Sequence, residues 1–199
     1  GDPSGRSSER TLMSADVIEA RVKLLRAQMS RFLDFGDGPT DAVMADNIEW
    51  TAPLSVLDFL RDVGKHFPVN QMLARESVAG RLESGGLSFT EFTYQLLQSL
   101  DFLELHRRYG CTLQVGGNDQ WGNITAGLDY MRRVDQAHGH ALTFPLVTDS
   151  AGQKLGKSTG GGNVWIDPAM TSPYALWQFL LNVDDRDADH RAATGGPMG

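Results

Sequence analysis

The sequence of 199 residues contains only one cysteine, Cys111. A single thiol excludes an intramolecular disulfide, and it excludes a metal centre built from several cysteines. Long apolar runs are also lacking, since none reaches the ~18 residues of a membrane-spanning helix. The first residues are polar and form no apolar stretch of the kind found in a secretory leader. The sequence therefore predicts a cytoplasmic protein that does not enter a membrane.

Positive charge is scarce as well. Lysine and arginine total 18 against 25 acidic residues, so the net charge is −7. Because phosphate contacts need cations, an acidic chain is a poor general binder of nucleic acid. The arginine pairs Arg107-Arg108 and Arg132-Arg133 are therefore interpreted as solvated helix ends. His138 and His140 have no acidic or cysteine ligand at a matching spacing, so no metal site is predicted.

Strand-like and helical segments alternate along the chain, which predicts an α/β fold. Ser88 and Glu91 have the spacing of a capping box, and this predicts a helix from Ser88 to about His106. The remaining helices are predicted at 18–32 after Ser14, near Pro53, at 69–82, at 124–134 and at 174–181. Strands are predicted at 112–115 and 142–147.

Three polar side chains share one face of the helix that begins at Ser88. Tyr94, Gln98 and Asp101 stand at positions i, i+4 and i+7, which a helix places in one stripe. A phenol, an amide and a carboxylate in line can hydrogen-bond a small polar ligand. A solvated face is the alternative, although such faces usually carry lysine and glutamate. Both interpretations stay open on these residues alone.

A strand that runs into a glycine-rich turn provides a second candidate site. Gly116-Gly117 allows close approach of the backbone to a ligand, and Asn118-Asp119-Gln120 leads into the next helix. In open α/β sheets, ligands bind at the carboxyl ends of strands, and helix N-termini there favour anions. The alternative is a tight turn without a ligand, for which one glycine is enough.

The third candidate is the segment Lys154-Leu155-Gly156-Lys157-Ser158. Two lysines in a mobile loop can neutralise a polyphosphate as its charge develops in the transition state. The segment does not fit a P-loop, because three residues rather than four separate Gly152 from Gly156 and no helix is predicted after Ser158. A flexible surface loop explains these residues equally well.

Four segments, in this order, resemble bacterial tyrosyl-tRNA synthetases, which are class I aminoacyl-tRNA synthetases. They are Gly1-Asp2-Pro3-Ser4-Gly5, Phe89-Thr90-Glu91-Phe92-Thr93-Tyr94, Gly117-Asn118-Asp119-Gln120-Trp121-Gly122-Asn123 and Lys154-Leu155-Gly156-Lys157-Ser158. The resemblance extends to about Asp187 and includes Ser172-Pro173-Tyr174. It implies a partial Rossmann-like class I catalytic domain with a helical insertion.

The resemblance implies a homodimeric enzyme that activates tyrosine with ATP and Mg²⁺ and passes the tyrosyl group to tRNA(Tyr). It also implies a set of tyrosine-binding residues, in which Asp101 accepts the phenol hydroxyl. The other members are Asp2, Tyr94 and Gln98 at the ammonium group, Asn47 at the border of the pocket and Gln120 at the carboxylate.

The resemblance assigns the remaining site residues to ATP. Gly117 and Asp119 are implied as ATP-binding residues, with Asp119 at the adenylate ribose. Lys154 and Lys157, with Ser158 beside them, are implied as the catalytic loop that stabilises the leaving pyrophosphate. The carboxylate of tyrosine is itself the nucleophile, which agrees with the absence of a nucleophile motif in the sequence.

Two features of the family are missing from the sequence: the His-x-Gly-His signature and an apolar helical continuation after Asp187. The chain is therefore interpreted as a fragment of the catalytic domain that is inactive alone. Residues 1–150 are expected to form the second half of that domain with its insertion. Residues 151–187 are expected to hold the lysine loop and the start of a helical region, and residues 188–199 to be an atypical, disordered tail.

Two other functions remain as alternatives. A tryptophanyl-tRNA synthetase shares the implied fold and the lysine loop, but Asp101 and the segment 117–121 argue against it. A non-catalytic synthetase-like binding module would explain the missing signature, but it has no need of both Lys154 and Lys157.

Overall fold

The computed structural model describes residues 13–75, 78–80, 82, 86–146 and 165–182. They fall into two compact units. Among the described residues, the first unit covers Met13 and Ala45–Phe144, and the second combines Ser14–Met44 with the residues from Pro145 onward. No helix in these described ranges has both the length and the apolar character needed to cross a membrane. The domain division expected from the sequence stays a prediction.

Helices dominate the described residues, and one short strand precedes and another follows the helix at Trp121–Asp135. In chain order the helices are α1 (Ala15–Met29), α2 (Ile48–Thr51), α3 (Val56–Asp58), α4 (Val69–Leu73), α5 (Phe89–Tyr109), α6 (Trp121–Asp135) and α7 (Pro173–Leu181). The strands are β1 (Leu113–Gly117) and β2 (His140–Phe144). A π-helical turn (Phe59–Val63) and a 3-10 turn (Gly64–His66) follow α3, and a second 3-10 turn (Asn118–Gln120) joins β1 to α6.

The capping box at the start of α5 is confirmed. The hydroxyl of Ser88 accepts from the backbone N–H of Glu91 at 3.2 Å, and the Glu91 carboxylate accepts from the Ser88 N–H at 3.3 Å. The helix ends at Gly110, whose φ of 66° is the left-handed conformation that glycine adopts without strain. It therefore runs three residues beyond the predicted end at His106 and has 21 residues in all.

The two strands and α6 form a βαβ unit. β1 and β2 are parallel, with Leu113 opposite His140 and Gly117 opposite Phe144, and α6 makes the connection that parallel strands require. The predicted strand at 142–147 was placed two residues too late. The backbone N–H of His140 donates to the carbonyl of Thr112 at 2.7 Å, so pairing begins at a residue whose polarity had indicated a loop.

The core of the first unit lies mainly between α5 and α6. Phe102 and Leu103 of α5 and Ile124 and Met131 of α6 are at most 1 % exposed. Gly127 lets the helices approach closely, because a Cβ placed there would lie 3.0 Å from Cδ1 of Phe102. This packing fixes the face of α5 on which the predicted polar stripe stands.

Helix ends account for most of the remaining differences from prediction. Pro53 does not open a helix; the hydroxyl of Ser55 accepts from the Asp58 N–H at 3.1 Å, and α3 begins at Val56. The helix expected at 69–82 is α4, which stops at Leu73, with residues 78–80 helical again. The last helix is confirmed, with the hydroxyl of Ser172 accepting from the Ala175 N–H.

Candidate active site

The carboxylate of Asp101 on α5 is held by two side chains from a distant segment. Its Oδ1 accepts from Nε1 of Trp50 at 2.8 Å, and its Oδ2 accepts from Nδ2 of Asn47 at 3.1 Å. Asn47 is the residue before α2 and Trp50 lies within that helix. Each carboxylate oxygen has a further lone pair. The arrangement can therefore accept a hydrogen bond from a ligand without giving up either donor.

Burial and hydrogen bonding act on Asp101 in opposite directions. Loss of solvent raises the pKa of its carboxyl above the ordinary value, and the donors Trp50 and Asn47 offset part of that rise. The carboxyl is half-buried, so part of its surface stays open to a ligand. The group is thus suited to recognising a polar atom of a ligand.

Trp50 is a member of this cluster that the sequence did not reveal. Its side chain is buried, with 7 % of its surface exposed, and the guanidinium carbon of Arg108 lies 5.2 Å from the centre of its ring. Trp50 follows no motif, and its partner is 51 residues away in the chain. Only the Asn47 prediction pointed toward this segment.

Tyr94 and Gln98 occupy the same stripe of α5 as Asp101. Both side chains are half-buried. At 1.5 Å per residue, Tyr94 stands about 10 Å from Asp101 along the helix axis, with Gln98 between them. A small elongated molecule with polar groups at both ends matches this spacing. Their roles toward a ligand stay predictions.

The turn after β1 places Gln120 and Asp119 at the carboxyl end of the strand. A Cβ added at Gly116 would lie 3.1 Å from Cβ of Gln120 and 3.2 Å from Cδ1 of Ile124. The absence of a side chain at Gly116 is therefore explained by packing within the βα unit, without a ligand. Oε1 of Gln120 accepts from Nδ2 of Asn123 at 3.2 Å, which orients this amide. Gly117 is the last residue of the strand.

Four predicted site residues belong to other parts of the chain. Asp2, Lys154, Lys157 and Ser158 lie outside the described residues. Within the described ranges, no three histidine, cysteine or acidic side chains are grouped so that they could hold a metal ion.

A shallow pocket elsewhere in the first unit is lined by none of the predicted residues. Its walls include His66, Arg75, Gln95 and Tyr130. Nε2 of Gln95 is buried there, and it has no hydrogen-bond partner in the described part of the chain. The pocket shares no residue with Asp101 or with its donors Asn47 and Trp50. It is therefore separate from the predicted tyrosine site.

Comparison with known proteins places these residues in a wider context. A family model described as class I tRNA synthetases (W and Y) matches residues 1–195. The chain is 55% identical over 187 residues to a tyrosine–tRNA ligase of Nocardia farcinica and 57% identical over 187 residues to one of Corynebacterium glutamicum. These alignments cover 94% of this chain but only 43% and 44% of the relatives. The chain thus spans less than half the length of the curated relatives it matches.

Solved structures agree with the sequence comparison. The fold is similar to a C-terminally truncated mitochondrial tyrosyl-tRNA synthetase of Aspergillus nidulans, with a TM-score of 0.71 and 29% identity over 96% of this chain and 57% of the other. A corresponding structure from Coccidioides posadasii has a TM-score of 0.72 and 28% identity over 99% of this chain and 58% of the other.

Proposed function

The chain belongs to the class I tRNA synthetases for tryptophan and tyrosine, and on that premise we propose that it contributes the tyrosine-recognition site of a tyrosine–tRNA ligase. The observation that carries the proposal is the carboxylate of Asp101, held by Trp50 and Asn47 on the stripe that also bears Tyr94 and Gln98. Tyrosine has a hydroxyl at one end and an ammonium group at the other, which matches the two ends of this stripe.

Asp101 is assigned to the phenol hydroxyl. The hydroxyl donates to a free lone pair of the carboxylate, while Tyr94, Gln98 and Asp2 accept from the substrate ammonium group. Phenylalanine in the same place would leave the further lone pair of this carboxylate without the donor that tyrosine supplies, which costs about 1–3 kcal/mol. Selection for tyrosine therefore follows from the penalty on the wrong amino acid.

Activation needs no nucleophile from the protein. The carboxylate oxygen of tyrosine attacks the α-phosphorus of ATP, the new C–O–P bond forms, and pyrophosphate leaves with the electron pair of the broken P–O bond. Gln120 orients the attacking carboxylate, and Gly117 and Asp119 bind the nucleotide. Lys154 and Lys157, with Ser158 beside them, stabilise the charge on the departing pyrophosphate. Mg²⁺ enters with ATP as part of the substrate.

The second step of the proposed reaction transfers the tyrosyl group to tRNA(Tyr). A terminal hydroxyl of tRNA(Tyr) displaces AMP from tyrosyl-adenylate and receives the tyrosyl group. We assign this reaction to a cytoplasmic homodimer, as the family relationship suggests. The curated relatives are tyrosine–tRNA ligases, and this favours tyrosine over tryptophan as the substrate.

Equilibrium binding of single amino acids to the full chain tests the proposal. Isothermal titration with tyrosine, phenylalanine and tryptophan should give the tightest binding for tyrosine, with phenylalanine weaker by about 5- to 150-fold. Tighter binding of tryptophan would assign the chain to the tryptophan branch. A folded chain that binds none of the three would support a non-catalytic module instead.

A further inference from the structure

We propose that Arg108 is a positioning residue for hydroxyl recognition, because its guanidinium clamps the Trp50 ring so that the indole N–H stays on the carboxylate of Asp101. The inference rests on the proposed tyrosine site and adds to it a residue that does not touch the substrate. Asp101 and Arg108 lie on the same face of α5, because they stand seven positions, or two helical turns, apart.

Trp50 is held from two directions by the same helix. Its Nε1 lies 2.8 Å from Oδ1 of Asp101, and the guanidinium carbon of Arg108 lies 5.2 Å from the ring centre. This distance is within the range in which a cation is attracted to an aromatic face. One residue of α5 therefore fixes the polar edge of the indole and another covers its face.

Arg108 is itself kept in place by charged neighbours. Its Nε donates to Oε2 of Glu104 at 3.0 Å, and Glu104 is 17% exposed. Nη1 of Arg107 donates to the other carboxylate oxygen of Glu104 at 3.4 Å. Arg107 in turn makes two 2.7 Å hydrogen bonds with Asp135 at the end of α6. The guanidinium over Trp50 is thus one end of a series of ion pairs that reaches Asp135 on α6.

The clamp is needed because α2 is short. A helix of four residues cannot hold its own conformation, so its position depends on the contacts of its side chains. A cation over the indole also draws electron density from the ring, which makes the N–H a stronger donor to a carboxylate. Arg108 therefore orients Trp50 and strengthens the hydrogen bond that aims Asp101.

Substitutions at Arg108 can separate charge from packing. Arg108→Met keeps an unbranched apolar stem against the indole and removes the charge. Arg108→Lys restores the charge without the planar guanidinium. Arg132→Met is the matched control, since Arg132 pairs with Asp129 on the surface of α6 and stacks on no aromatic ring of the described residues. Far-UV circular dichroism establishes that each variant is folded.

Two readouts are measured on the full chain. Isothermal titration gives the ratio of tyrosine to phenylalanine affinity, which should fall about two- to fivefold in Arg108→Met and recover in part in Arg108→Lys. The indole ¹H–¹⁵N resonance of Trp50, assigned with Trp50→Phe, should move upfield in Arg108→Met as its hydrogen bond weakens. Arg132→Met should change neither.

The outcomes separate this inference from the proposed function. If the unmodified chain prefers tyrosine but Arg108→Met keeps the full preference and the Trp50 resonance, Arg108 does not position the site and the inference is wrong. If the unmodified chain shows no preference for tyrosine, the proposed function is wrong, and the inference that rests on it is wrong as well. A loss of preference without any change at Trp50 would also contradict the clamp, because the effect would then not pass through the indole.

Discussion

The indole nitrogen of Trp50 lies 2.8 Å from a carboxylate oxygen of Asp101, although 51 residues separate them in the chain. The hydrogen bond joins a four-residue helix to a helix of 21 residues. A second donor, Asn47, comes from the same segment. The carboxylate is therefore oriented by tertiary structure and not by its own helix. Substitutions in the α2 segment or in α5 should both change how the site binds its ligand.

Asp101→Asn should remove the preference for tyrosine. The amide has only one acceptor oxygen, so its NH₂ group replaces one of the two oxygens to which Trp50 and Asn47 donate in the unmodified chain. We expect the ratio of tyrosine to phenylalanine affinity to fall by about 5- to 150-fold. Titration calorimetry measures it, with the exposed Asp129→Asn as the control. An unchanged ratio would reject the assignment of Asp101 to the phenol.

The stability contribution of Asp101 should depend on pH. Its pKa is raised in the folded protein, chiefly by burial, so the folded state holds the proton more tightly than the unfolded state. The contribution is fully present below about pH 4, the ordinary range of the group. It is lost as the pH rises through the folded-state value.

Urea denaturation of the unmodified chain and of Asp101→Asn between about pH 3.5 and pH 7 tests this sign, since that interval brackets the ordinary value. The free energy of unfolding of the unmodified chain, relative to the variant, should decrease as the pH rises. An increase would mean that hydrogen bonding from Trp50 and Asn47 outweighs burial.

Arg107 and Asp135 should stabilise the packing of α5 on α6. Nε and Nη2 of Arg107 each donate at 2.7 Å to a different oxygen of Asp135, and this holds the pKa of that carboxyl below its ordinary value. A double-mutant cycle with Arg107→Ala and Asp135→Ala should give a coupling of about 0.5–1 kcal/mol at neutral pH. The coupling should be fully present above about pH 4, the ordinary range of the group, and should be lost as the pH falls through the lowered folded-state pKa of Asp135.

The exposed pair Arg132 and Asp129 provides the comparison for this cycle. It has one 3.1 Å contact, and its side chains are 64% and 53% exposed. Its coupling should be close to zero. Equal couplings for the two pairs would show that the double contact of Arg107 adds nothing.

Gly127→Ala should destabilise the protein although alanine favours helices. The added methyl would lie 3.0 Å from the ring of Phe102, which is completely buried. Overpacking of this kind costs about 1–3 kcal/mol, against a helix gain of about 1 kcal/mol. Thermal unfolding should show a net loss of about 1 kcal/mol, the difference of these two effects.

Gly80→Ala is the matched control for Gly127→Ala. Gly80 is also helical, and a Cβ there meets nothing within 4 Å. It should stabilise the chain by about 0.4–1 kcal/mol. A stabilising Gly127→Ala would show that Phe102 can shift.

Local signals explain what could be predicted. The capping box at Ser88 and Glu91 and the cap at Ser172 depend on neighbouring residues, and both are confirmed. The family resemblance is confirmed as well. It could be predicted because four separate segments match the family in the same order. The start of β2 was missed because the pairing of His140 with Leu113 depends on a strand far away in sequence.

Trp50 was missed for the same reason. Nothing next to it in the sequence indicates a hydrogen bond to Asp101 or a stacked arginine. The arginine pairs were expected to be solvated, and three of these side chains, Arg107, Arg108 and Arg132, do lie at the surface beside acidic partners. What no pattern could supply is that one of them covers an aromatic ring.

The single turn of α2 has a consequence for how the site opens. Asn47 and Trp50 donate to Asp101 through their side chains, so we expect this turn to detach before the packing of α5 against α6 is lost. Amino-acid recognition would then be lost in a local fluctuation that costs less than global unfolding. In hydrogen-exchange terms, the amides of 48–51 should report the availability of the site, whereas those of α5 report only the integrity of the core.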